Sequence, residues 1–261
     1  MLGAIIGDVV GSYYEHFPTK SLDFELFSEH SCFTDDTALT VAVADWLLHG
    51  DDLRSYFYDY VDRYPGAGYG GTFRNWALTR ETEPYGSWGN GSAMRVSPVA
   101  YATQSLAETL AVAEETASVT HNHPDGVLGA MAVAGCVFVA RHGGSKEDVR
   151  EFVEAEIGYD ILTPLDQLRP FDSFDVSCKG SVPQSIRAFL ESESVEHAIR
   201  LAVSLGGDAD TMGCIAGAIS EPFYGGVPKS LWDSAAERLD TKLLETVIEF
   251  RTRFDCPSIL D

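Results

Sequence analysis

Basic residues are scarce in this chain of 261 residues: 18 Lys and Arg stand against 40 Asp and Glu, a formal net charge of −22. A broad phosphate-contacting surface needs clustered cations, so an extended nucleic-acid surface is not expected, and neither is adsorption to acidic membranes. A small anionic ligand stays possible, because helix N-termini and bound metals hold phosphate inside acidic proteins. CxxC pairs are absent. The five cysteines, Cys32, Cys136, Cys178, Cys214 and Cys256, lie far apart, which reads as free thiols in a reducing compartment. The opening MLGAIIGDVVG lacks a basic leader and is broken by Asp8 and three glycines, a poor signal peptide. No run looks long and apolar enough to span a membrane. Linkers, low-complexity runs and solenoid repeats are also missing. The expectation is a cytoplasmic monomer with no membrane partner, folded as a single domain over 1–261.

Strand-like alternation is rare, and helical spacing of apolar residues dominates. The spacing predicts helices over 36–49, 106–118, 125–142, 181–191, 195–204 and 240–253, with most prolines at element ends. Residues 157–178 form the main irregular segment. The fold class is therefore all-α, a single globular multi-helix bundle. Small residues in GAMAVAGC (129–136) and CIAGAIS (214–220) imply close helix packing. Glycine-rich stretches at 66–71 and 86–92 carry aromatics and small polar residues, the make-up of a binding rim.

Two short acidic motifs stand far apart. Thr34-Asp35-Asp36-Thr37 precedes the helix over 36–49, and Gly207-Asp208-Ala209-Asp210-Thr211 precedes the apolar CIAGAIS helix. One Asp or Thr at such a place is an ordinary N-cap. A cap needs only one, however, and each motif carries a second aspartate in apolar surroundings. Four carboxylates near a packed core repel each other and lose hydration. Two divalent cations would offset them, provided the motifs meet in space. Oxygen-only donors suit Mg²⁺ or Mn²⁺. The same carboxylates would fit a metal-dependent phosphoesterase.

The ordered series GAIIGDVVGSYYE (3–15), FTDDTALT (33–40), GYGGTF (68–73), YGSWGNGSAMRVSPVA (85–100), SVTHNHPDG (118–126) and GGDADTMGCIAGAI (206–219) resembles the ADP-ribosylglycohydrolases over nearly the whole chain. The resemblance implies an all-α fold and a centre of two Mg²⁺ (or Mn²⁺) held by Thr34, Asp35, Asp36, Asp208, Asp210 and Thr211. It implies that Glu15 acts at the scissile bond, with Asp36 as its catalytic partner. Gly68, Tyr69 and Gly70 would meet the pyrophosphate. Ser87, Trp88, Gly89 and Asn90 would line ADP-ribose, and His121 would lie near its phosphate–ribose end. Asp8 is expected to be structural. Arg95 is open between a pyrophosphate counter-ion and a core tether. The implied activity is hydrolysis at C1″ of an ADP-ribose conjugate, whether an ADP-ribosylated protein, a nucleobase or a small molecule. A non-catalytic ADP-ribose reader is the alternative from another class.

Overall fold

The computed structural model describes residues 1–170 and 172–261; Phe171, within the irregular segment, lies outside the described residues. The chain is built of helices, as expected. The first half comprises α1 (Leu2–His16), α2 (Asp35–His49), α3 (Leu53–Arg63), α4 (Gly71–Leu78), the single turns α5 (Gly91–Met94) and α6 (Val99–Ala102), α7 (Leu106–Ser118) and α8 (Pro124–Arg141). The second comprises α9 (Lys146–Phe152), which runs into a π-helical turn Val153–Ile157, then α10 (Leu165–Leu168), α11 (Cys178–Glu191), α12 (Val195–Val203), α13 (Ala209–Phe223), α14 (Lys229–Ala236) and α15 (Thr241–Arg253). A short parallel pairing of Gly226–Pro228 with Ser258–Leu260 is the one named ladder among the described residues.

Helices α1 and α13 form the spine. Both are buried on nearly all sides, which suits their all-round apolar composition. Their contact is backbone on backbone. A β-carbon placed on Gly7 would sit 2.0 Å from the Gly213 carbonyl oxygen, one on Gly3 2.1 Å from that of Gly217, and one on Gly11 2.2 Å from that of Ala209. The glycines recur every four residues, so they share one face of α1. This stripe lays the Asp8 and Glu15 helix against the N-terminus of the Asp208–Asp210 helix.

The predicted helices match α2, α7, α8, α11, α12 and α15 to within a few residues. Pro124 opens α8 and Pro222 stands one residue before the end of α13, whereas Pro183 lies inside α11, away from the ends where proline is most comfortable. The expectation about apolar runs needs correction. Helix α8 has 18 residues and is, by length and composition, apolar enough to cross a membrane. It is a core helix here: Ala130, Val133, Ala134 and Val137 are fully buried, and it packs against α7, α11 and α13.

Candidate active site

Both acidic motifs sit at helix starts. Thr34 is extended and caps α2, its hydroxyl accepting from the Asp36 amide at 3.3 Å, so the first turn presents Asp35 and Asp36. Asp208 is the N-cap residue of α13 without making a cap bond through its side chain, and Asp210 follows in the first turn. The two N-termini converge. Thr211 Oγ1 donates to Asp36 Oδ2 at 3.2 Å across 175 residues of chain. Positive helix ends and clustered carboxylates are thereby brought face to face.

Asp8 joins them from α1. It accepts from the Thr34 amide (2.9 Å), the Thr34 hydroxyl (2.6 Å) and the Thr37 amide (3.0 Å), so it holds the corner in shape, as expected of a structural residue. Yet its carboxylate also lies with those of Asp36 and Asp210 in a group whose oxygens are all within 4.8 Å of one another. Glu15, Asp208 and Asp210 form a second such group. The signal for Asp8 was one acidic residue inside an otherwise apolar, glycine-striped helix.

The carboxyls of the cluster are held away from their charged form. Burial, then Asp210 and Asp8, push the Asp35 and Asp36 carboxyls well above the usual range. Burial and Asp210 do the same to Asp208, and they raise Asp8 to about 7. Among the described residues none of these is in an ion pair with Lys, Arg or His, and Asp36 Oδ1 is buried with no hydrogen-bond partner at all. Buried anionic oxygens left unpaired are costly. An all-oxygen donor set of this charge fits hard divalent cations.

A pH dependence follows for metal-free protein. A carboxyl whose folded value lies above its unfolded one favours folding while protonated. That contribution is complete below about 4 and is lost as pH rises through the folded value, about 7 for Asp8. Melting in chelator is therefore expected to fall as pH goes from 5 to 8. A flat or rising curve would mean that the carboxylates do not feel each other.

The cluster lies on the wall of a cleft of about 820 Å³. Glu15, Thr34, Asp35, Asp36, Asp208, Asp210 and Thr211 line it, together with Gly68, Gly70, Ser87, Trp88, Gly89, Asn90 and His121. Tyr69 is the exception. It does not line the cleft; its ring stacks on Phe73 and its hydroxyl donates to the Tyr60 carbonyl at 3.2 Å, because the φ of +97° at Gly68 turns the next side chain into the core. Gly68 has that conformation beside Asp35, where a β-carbon would come 3.5 Å from Oδ1.

Asn90 lines the cleft and has a further role. Its amide nitrogen is spent on Asp208 Oδ2 (2.6 Å) and on the Ser181 hydroxyl of α11 (3.1 Å). It orients Asp208. The glycine loop around it is fixed by main-chain bonds to the irregular segment, Asn90 N to Val176 O at 2.8 Å and Cys178 N to Trp88 O at 3.0 Å. Trp88 stays 55 % exposed on the rim, and Phe174 and Val176, which sequence reading left as irregular chain, line the cleft beside it. The connection from Glu15 to Thr34 is fastened by Tyr14 to Glu25 O (2.6 Å) and by Arg200 to Phe24 O (2.8 Å).

Relatives of this chain are named as hydrolases. The family model described as ADP-ribosylglycohydrolase matches residues 1–254, and the chain belongs to that family. It is similar to ADP-ribosylhydrolase ARH3 of Bos taurus, at 27% identity with 91% of this chain and 87% of the relative covered. ARH3 of Homo sapiens is 26% identical, covering 91% and 88%. The ADP-ribosylarginine hydrolase Tri1 of Pseudomonas putida is 24% identical, covering 94% and 76%. A solved structure titled ADP-ribosylglycohydrolase-related protein complex shares the fold, with a TM-score of 0.73, 23% identity and 95% of each chain covered.

Proposed function

We propose that this protein hydrolyses the C1″ glycosidic bond of an ADP-ribose conjugate and releases ADP-ribose, using two divalent cations. The observation that carries the reading is the meeting of the Thr34–Asp36 and Asp208–Thr211 corners on the wall of one cleft. The cleft's size lies in the range of roughly 300–1,000 Å³ usual for small-molecule sites. The resemblance of the relatives named above supports the substrate class.

Asp35, Asp36, Asp208 and Asp210, with the Thr34 and Thr211 hydroxyls, would hold Mg²⁺ or Mn²⁺. Bound there, the cations supply charge neutralisation and an electrophilic anchor for sugar hydroxyls. The protein does the rest. Gly68 and Gly70 leave backbone open to the pyrophosphate. Trp88, largely exposed on the rim, offers a ring face to the adenine. Asn90 keeps Asp208 in its orientation. Glu15 borders Asp208 and Asp210, and in the metal-free protein burial followed by the Asp210 charge raises its carboxyl above the ordinary glutamate value. In the overall reaction water gives hydroxyl to C1″ and a proton to the departing acceptor, with Glu15 as the proton-transfer group. The sugar passes through an oxocarbenium-like state.

We also propose a cytoplasmic location, supported by five free cysteines, three of them buried.

The test is a panel of ADP-ribose conjugates, on serine, arginine, a nucleobase and an acetyl group, offered with Mg²⁺ and with Mn²⁺. Mass spectrometry of the products is expected to show ADP-ribose from at least one. Release of inorganic phosphate or nucleoside phosphate would make the protein a phosphoesterase. Tight binding with no release from any conjugate would make it a reader.

A further inference from the structure

We propose that Arg95 and Thr120 are positioning residues that lock His121 as a standing N–H donor, through Nε2, into the cleft. The inference rests on the reading of the cleft as an ADP-ribose site, where the donor would face phosphate or ribose oxygens.

Arg95 is the one Lys or Arg among the described residues that line the cleft. It is 0% exposed and has no carboxylate partner among the described residues. Its guanidinium lies over the Phe57 ring at 4.3 Å and near that of Phe73 at 5.8 Å. Nη2 donates to Thr116 O (3.2 Å) and to Thr120 Oγ1 (2.9 Å), while Nε and Nη1 have no partner. An isolated charge so deep is expensive, and core packing alone does not call for one.

Its hydrogen bonds give it a use. A guanidinium only donates, so Thr120 Oγ1 must accept from it. That hydroxyl also lies 2.7 Å from His121 Nδ1 and beside the Tyr85 hydroxyl. A hydroxyl that accepts from a cation is polarised towards donating, which favours the threonine proton on the bond to Nδ1. The imidazole is neutral, since burial and then the Arg95 charge push its pKa well below the usual histidine value. A neutral ring that accepts at Nδ1 carries its proton on Nε2.

The ring is packed close against two glycines. A β-carbon on Gly126 would lie 2.9 Å from His121 Cβ, and one on Gly91 3.3 Å from Nε2. The His121 amide is tied to Ala117 O at 2.7 Å. Nε2 faces Gly89 and Gly91 and makes no hydrogen bond among the described residues. The positive charge of Arg95 thus reaches the cleft through a hydroxyl and an imidazole, and an anionic oxygen meets a donor where the other tautomer would show it a lone pair.

The experiment is a long-range ¹H–¹⁵N correlation spectrum of the full chain, ¹⁵N-labelled and loaded with Mg²⁺, with His121 assigned by its loss in His121→Gln. The parent is expected to show the proton on Nε2. Thr120→Val, nearly isosteric, is expected to lose that preference and to weaken ADP-ribose about tenfold by calorimetry, the cost of one misdirected hydrogen bond. Thr120→Ser is expected to restore both. A parent spectrum with the proton on Nδ1, or a Thr120→Val protein with unchanged spectrum and affinity, overturns the relay. If the spectra behave as expected while ADP-ribose binds neither parent nor Thr120→Ser, the relay stands and the ADP-ribose reading falls.

Discussion

Asp36→Asn protein should release ADP-ribose roughly 1000-fold more slowly than the parent, a rise of about 4 kcal/mol in barrier height, while its metal-free form melts at a higher temperature. The two effects share one cause. Asp36 is 1% exposed, Oδ1 is unpartnered, and Oδ2 is shared by two threonine hydroxyls. Around it lie Asp8, Asp35, Asp208 and Asp210, whose charges each make its own ionisation harder. Without a cation the cluster opposes folding, so removing one charge relieves it. With cations the same charge is what holds them. The increment in melting temperature that Mg²⁺ or Mn²⁺ gives the parent should therefore vanish in the variant, since that increment measures binding to the folded state. Hydrolysis within tenfold of the parent, with the metal increment intact, would remove Asp36 from the centre.

The second large effect concerns the spine. Gly7→Val should cost about 3 kcal/mol or more, a fall of about 10 °C in melting temperature for a chain of this size. The reason is where the new atoms go. At Gly7 even a β-carbon meets the Gly213 carbonyl oxygen at 2.0 Å, and this neighbour is backbone in the middle of a helix, which cannot swing aside. To fit it, α1 and α13 must separate, and Asp8 and Glu15 on one would withdraw from Asp210 on the other. Loss of metal affinity should accompany the loss of stability. Gly66→Ala is the matched control, because nothing lies within 4 Å of a β-carbon there. A Gly7→Val protein as stable as that control would mean that the two helices are not in backbone contact.

Much of this was readable before any coordinates. The paired aspartates at two helix starts announced themselves because a cap needs one acidic residue and each corner has two. Helical spacing located α2, α7, α8, α11, α12 and α15. What escaped was of another kind. Helix α1 is apolar on every face, so no stripe of polar residues marks its period, and its glycines argue locally against a helix. Only tertiary contact with α13 explains them. Asp8 reads as structural from its place in an apolar helix, and it does bond to Thr34 and Thr37; its nearness to Asp36 and Asp210 depends on the three-dimensional crossing. Tyr69 was placed with its glycine neighbours by sequence adjacency, whereas a single positive φ at Gly68 sends its side chain elsewhere. Asn90 sits in the motif expected to touch ligand, but its amide is committed to a carboxylate 118 residues away. Motifs report which residues share a neighbourhood; they do not say which of them point at the ligand and which at each other.

The bond between Thr211 and Asp36 spans 175 residues, and that has a consequence for the order of events at the ribosome. The early corner emerges first, with Asp8, Glu15, Asp35 and Asp36 already present and mutually repelling. It has nothing to close upon until α13 has left the exit tunnel and settled its glycines against α1. On the metal-binding reading proposed above, the site is complete only once the two ends of the fold have found each other.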